Sequence, residues 1–149
     1  MEILFLSIGG LALFLYGMRL MSDGLQAAAG DRLRVILEKG TKTPIRGVIT
    51  GLLVTGLIQS SSGTSVIAVG LVNAKLLTLK QAIGVILGAN IGTTVTAYLI
   101  GFKLTDYALP IIFAGALLFL FTKKRTSILV GQILLGFGML FYGMDVMGQ

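Results

Sequence analysis

The stretch TGLIQSSSGTS, Thr55 to Ser65, decides how this chain is read. Beyond Thr55 it sets six hydrogen-bonding side chains (Gln59, Ser60, Ser61, Ser62, Thr64 and Ser65) beside Gly56 and Gly63, with no charge among them. The flanks read PIRGVITGLLV before it and VIAVGLVNA after it, each about half a membrane span. An uncharged polar knot in such a setting either packs helices together or binds something that must shed its water.

The rest of the composition supports a membrane setting. Of 149 residues, 55% are hydrophobic and only 12% charged. That is about half the charged share of a soluble domain, so the expected class is an all-α integral membrane protein. Ile3–Met21 is long enough to span and lacks both a basic leader region and a small-residue cleavage site. It therefore reads as a retained helix rather than a removed signal peptide. With no cysteine and no histidine, a disulfide or a thiolate or imidazole metal site is excluded. The net charge of +6 lies in loops, where membrane topology places it, so a nucleic-acid partner is not expected.

Working outward, Ser22 or Asp23 is expected to cap a second, amphipathic helix carrying Leu25, Ala29, Leu33, Ile36 and Leu37 on one face, lying at headgroup level and ending at Gly40. Pro44 suits the first turn of the next helix. Pro44–Ile58 gives about 22 Å of helix against a hydrocarbon core of about 30 Å, and the return arm, Gly63–Ala74, is shorter still. Residues 44–74 are therefore expected to form a re-entrant helical hairpin with Gln59-Ser60-Ser61-Ser62 at its tip. Leu79–Gly101 is long enough to cross, but Gly88-Ala89-Asn90-Ile91-Gly92-Thr93-Thr94 predicts an interruption there. Two further spans are expected, Tyr107–Thr122 and Ile128–Met147.

Positive charge tests the hairpin. If residues 44–74 re-enter, Arg19, Arg32, Arg34, Lys39, Lys42, Arg46, Lys75, Lys80, Lys123, Lys124 and Arg125 share one side, and only Lys103 is opposite. If they cross instead, the count becomes seven to five. The positive-inside rule prefers the hairpin, with the basic side cytoplasmic and both termini outside.

A repeat is also visible. Gly10–Met21 (GLALFLYGMRLM) and Gly136–Met147 (GFGMLFYGMDVM) match at five positions: Gly10/Gly136, Tyr16/Tyr142, Gly17/Gly143, Met18/Met144 and Met21/Met147. Three crossings lie between the copies, so the second would start inverted. The expected organisation is a single membrane domain, 1–149. Residues 1–127 form its first repeat unit, and 128–149 form the first helix of an inverted second unit of a transporter.

The hydroxyls, the Gln59 and Asn90 amides and free N–H groups at two half-helix starts can hold a small oxyanion without arginine. Hydroxyl, amide and carbonyl oxygens can equally strip water from a cation. No carboxylate or histidine lies in the expected interior apart from Asp145, near its outer end. That argues against a proton relay, in favour of sodium coupling, and against hydrolytic enzyme chemistry.

The stretch QSSSGTSVIAVGLVNAKLLTLKQAIGVILGANIGTTVTA resembles the signature region of the type II sodium/phosphate cotransporter family, closely over Thr55–Ala97. The resemblance implies sodium-coupled symport of inorganic phosphate across the cytoplasmic membrane, with two inverted repeats each bringing a QSSS hairpin to a shared site. For phosphate the expected ligands are Gln59, Ser60, Ser61, Ser62, Thr64 and Thr93. For sodium they are Gln59, Ser61, Ser62, Asn90, Thr93 and Thr94, and no cofactor is expected beyond the coupling ion. One QSSS is present, so the chain is expected to supply half a site. Its partners would be membrane lipid and a second repeat half, or an antiparallel second copy in detergent. A passive anion channel and a non-transporting scaffold with Gly/Ser helix packing are the alternatives.

Overall fold

The computed structural model describes residues 1–102 and 104–148. Lys103, the one positive charge assigned to the far side, lies outside the described residues. Eight α-helices and one 3-10 turn make up the described chain, with no strand among those residues. In order they are α1 (Glu2–Ala29), α2 (Arg32–Gly40), α3 (Pro44–Ile58), α4 (Ser61–Asn73), α5 (Leu79–Gly92), α6 (Thr94–Gly101), the 3-10 turn Thr105–Tyr107, α7 (Ala108–Phe121) and α8 (Arg125–Gly148). Three segments are long and apolar enough to cross a membrane: Glu2–Ala29, Leu79–Gly101 and Arg125–Gly148. The stretch expected to span at Tyr107–Thr122 is shorter, with 14 α-helical residues after the 3-10 turn.

The chain forms two compact units, residues 29–101 and residues 1–28 with 102–148. In the discontinuous unit, α8 runs antiparallel to both α1 and α7, and glycines set the approach. A methyl added at Gly10 would lie 2.7 Å from the Gly143 carbonyl oxygen, and one at Gly143 would lie 2.6 Å from that of Gly10. Gly17 and Gly136 stand in the same reciprocal relation, 2.6 Å in each direction. Small residues let backbones approach closely, which is how helices associate where lipid offers no hydrophobic drive.

In the other unit, α3 and α5 run parallel, packed through Gly47 and Gly51 on one side and Gly84, Gly88 and Gly92 on the other. Leu33 and Leu37 of α2 join Val54, Ile58, Ala68, Leu71, Ala82 and Val85 in one buried cluster. Polar bonds tie the base together: Thr50 Oγ1 donates to the Gly40 carbonyl at 3.1 Å, and Gln81 Nε2 donates to that of Thr41 at 2.6 Å. Thr78 and Gln81 form a capping box that starts α5.

Two of the boundaries that differ from the sequence reading have a clear local cause. Ser22 and Asp23 do not cap a helix, because α1 continues through them to Ala29. Each is satisfied one turn away, Ser22 Oγ by Gln26 Nε2 at 3.1 Å and Asp23 by Arg19 at 3.9 Å. The stop comes at Gly30, whose φ of 48° suits glycine. The return arm of the hairpin starts earlier than Gly63, at Ser61, because Ser60 caps it.

Candidate functional site

The tip of the α3–α4 hairpin is two residues long. Gln59 ends α3 in the left-handed region, φ 57° and ψ 30°, with its N–H donating to the Thr55 carbonyl at 2.7 Å. A non-glycine residue held there carries strain, which persists only where surrounding bonds fix it. Here they do: Gln59 Nε2 donates to the Gly56 carbonyl, and Gln59 Oε1 accepts from Thr96 Oγ1 of α6. Ser60 is extended, and its Oγ accepts from the Gly63 N–H at 3.1 Å as the N-cap of α4. Thr64 N–H donates to the Ser60 carbonyl at 3.2 Å.

That arrangement leaves the amides of Ser61 and Ser62, in the first turn of α4, without acceptors inside the helix. The helix dipole places partial positive charge at the same point. Ser61 is half-buried and Ser62 exposed, so two free amides lie together with two serine residues at the helix start. Thr64, one turn on, is fully buried; it accepts from Thr55 Oγ1 at 2.8 Å and donates to the Ser60 carbonyl at 3.1 Å. Its hydroxyl braces the tip from within.

The interruption between α5 and α6 is narrower than the seven residues expected from the sequence. Only Thr93 separates the helices, and it keeps φ −64° and ψ −22°. The hydroxyls of Thr93 and Thr94 bond back to the carbonyls of Asn90 (2.6 Å) and Ile91 (2.7 Å), which holds the chain nearly helical through the break. Asn90, Thr93 and Thr94 are exposed. The tip and this break are neighbours: Gln59 bonds Thr96, and a methyl at Gly92 would lie 2.8 Å from Thr55 Cβ. Sequence reasoning missed Thr96 and Thr55, which position the tip. The signal for Thr96 was its place three residues after Thr93, on the same helix face.

Among the described residues no group of acidic, histidine or cysteine side chains could hold a metal ion. What the site offers is neutral: hydroxyls, carboxamides and helix-end amides.

The profile of the family described as Na+/Pi-cotransporter matches residues 13–149, which include the tip and the break. Among curated relatives, "Uncharacterized protein YqeW" of Bacillus subtilis is 34% identical over 129 residues, 87% of this chain and 42% of that protein. "Putative inorganic phosphate export protein YjbB" of Escherichia coli is 28% identical over 142 residues, 95% of this chain and 26% of that protein. Human "Sodium-dependent phosphate transport protein 2B" is 37% identical over 95 residues, 62% of this chain and 14% of that protein. The chain thus spans less than half the length of each of these relatives. No solved structure matches it. By the profile match over nearly its whole length and by the apolar helices, the chain is a multi-pass membrane protein of the Na+/Pi-cotransporter family.

Proposed function

We propose that this chain supplies one half of the binding site of a symporter that couples inorganic phosphate to sodium. The observation that carries the reading is the start of α4, where the amides and hydroxyls of Ser61 and Ser62 stand together at a positive helix end. Phosphate would be held there with Ser60 and Gln59, the tip being braced by Thr64. Thr93 would approach from the break. Sodium would take oxygens from Gln59, Ser61, Ser62, Asn90, Thr93 and Thr94. The human relative's name supports sodium as the coupling ion. The Escherichia coli relative's name favours a second reading, in which the same site releases phosphate outward.

In the membrane the α3–α4 hairpin would re-enter, with both termini outside. Arms of 15 and 13 residues and the eleven-to-one charge count support this. The inverted repeat is supported by the reciprocal glycine contacts. At an offset of 126, Gly10 corresponds to Gly136 and Gly17 to Gly143. Gly10 meets Gly143 and Gly17 meets Gly136, so each touches the counterpart of the other, as helices related by a two-fold axis do. The second half would cover the tip, from a downstream repeat or, in detergent, from an antiparallel second copy. In a transporter containing this half, phosphate uptake should cease without sodium and persist when the proton gradient is collapsed. Uptake that follows pH and ignores sodium would overturn the reading. Strong sodium-dependent accumulation by Met1–Gln149 alone would overturn the half-site.

A further inference from the structure

We infer that the cavity between the start of α2 and the distal half of α4 is a binding site for a phospholipid headgroup bearing both an ammonium and a phosphate. The cavity is about 340 Å³, lined by Gly30, Asp31, Arg34, Ile67, Gly70 and Leu71. Its size is in the range small ligands occupy, and it lies apart from the hairpin tip. One wall is apolar, from Ile67 and Leu71. The other carries opposite charges, since Asp31 and Arg34 both line it and no ion pair joins them. Asp31 precedes α2 as its N-cap residue, yet its side chain makes no capping bond. Its carboxylate is therefore available to an ammonium, and the Arg34 guanidinium to a phosphate.

Gly70 belongs to the α4 wall of the cavity. It lies inside α4, where glycine disfavours the helix, and a methyl built on it meets nothing within 4 Å. Where it lines the cavity, the space beside its Cα is open. The surroundings fit a lipid rather than a soluble metabolite. Val35 and Ile36 on α2 and Val66 and Val69 on α4 are exposed apolar neighbours. Arg32, Arg34 and Lys39 place α2 where a basic helix meets headgroups. An anionic headgroup without the ammonium would leave Asp31 facing like charge.

The test is native mass spectrometry of the purified chain, offered phosphatidylethanolamine and phosphatidylglycerol at equal mole fraction. The chain should retain phosphatidylethanolamine preferentially. Gly70→Leu, which fills open space, and Arg34→Gln should each lower that retention roughly five-fold or more. Asp31→Asn should keep phospholipid but lose the preference between the two. Retention of no phospholipid, equal or greater retention of phosphatidylglycerol, or retention unchanged by either Gly70→Leu or Arg34→Gln overturns the inference. The wild-type competition decides by itself should a variant fail to fold.

Discussion

Replacing Gly88 by alanine should pry the hairpin off the helix that supports it. The new methyl would overlap the Val48 carbonyl oxygen and lie 2.9 Å from the Leu52 nitrogen. Both are backbone atoms of α3, with no rotamer to adjust, so α3 and α5 must separate. Overpacking typically costs about 1–3 kcal/mol, and a backbone obstacle favours the upper part of that range. Alanine recovers about 1 kcal/mol of helix propensity over glycine, leaving a net loss of roughly 1–2 kcal/mol. Gly70→Ala is the matched control, since it gains propensity and meets nothing. The two variants should therefore differ by roughly 2–3 kcal/mol. In thermal unfolding in detergent, at about 2–4 °C per kcal/mol for a chain of this size, that is roughly 4–12 °C. Equal melting temperatures would refute the claim that glycine at Gly88 is fixed by the α3 backbone.

Three further outcomes are expected. Thr64→Val should cost about 1–3 kcal/mol by leaving the buried Thr55 hydroxyl without its acceptor, while Thr55→Val should cost about 0.5–1.5 kcal/mol. Chemical denaturation should show the double variant losing less than the sum of the two, and strict additivity would count against the pair. Single cysteines at Lys75 and Lys123 should react with a membrane-impermeant thiol reagent from one face and a cysteine at Lys103 from the other; labelling of Lys75 together with Lys103 would rule out re-entry. Within a complete transporter, Ser61→Ala should weaken sodium or phosphate affinity roughly ten- to hundred-fold, the worth of a charge-assisted bond. Ser7→Ala should not, and titration of uptake against each ion separates the two.

The hairpin was legible because its punctuation is local. Pro44 marks the start of α3, and the polar run at Gln59–Ser62 marks its end, so the Pro44–Ile58 boundaries matched residue for residue. The end of α1 was not legible, because Ser22 and Asp23 have the chemistry of caps but were satisfied by Gln26 and Arg19 one turn away. In the site, residue type alone could not separate Thr64 from Ser62. Thr64 is buried and bonded to Thr55 while Ser62 is exposed, and that depends on which face of α4 meets α3. The narrowness of the break at Thr93 was hidden for a similar reason, since threonine hydroxyls can close the carbonyls that glycines would leave open.

The crossing of α1 and α8 has a consequence for how such a chain could arise. A contact that reads the same from either helix is one that a single helix can make with another copy of itself, before any duplication joins the two. Gly10 and Gly17 would then have been selected once and inherited twice, as Gly136 and Gly143. Between the matched stretches the charge changes sign at one place, Arg19 against Asp145. Two identical helices lying head to tail would carry the same charge at both ends and have no preferred direction in a membrane. On the proposed repeat, exchanging one arginine for an aspartate would put the positive charge at one end of the pair and give it an orientation.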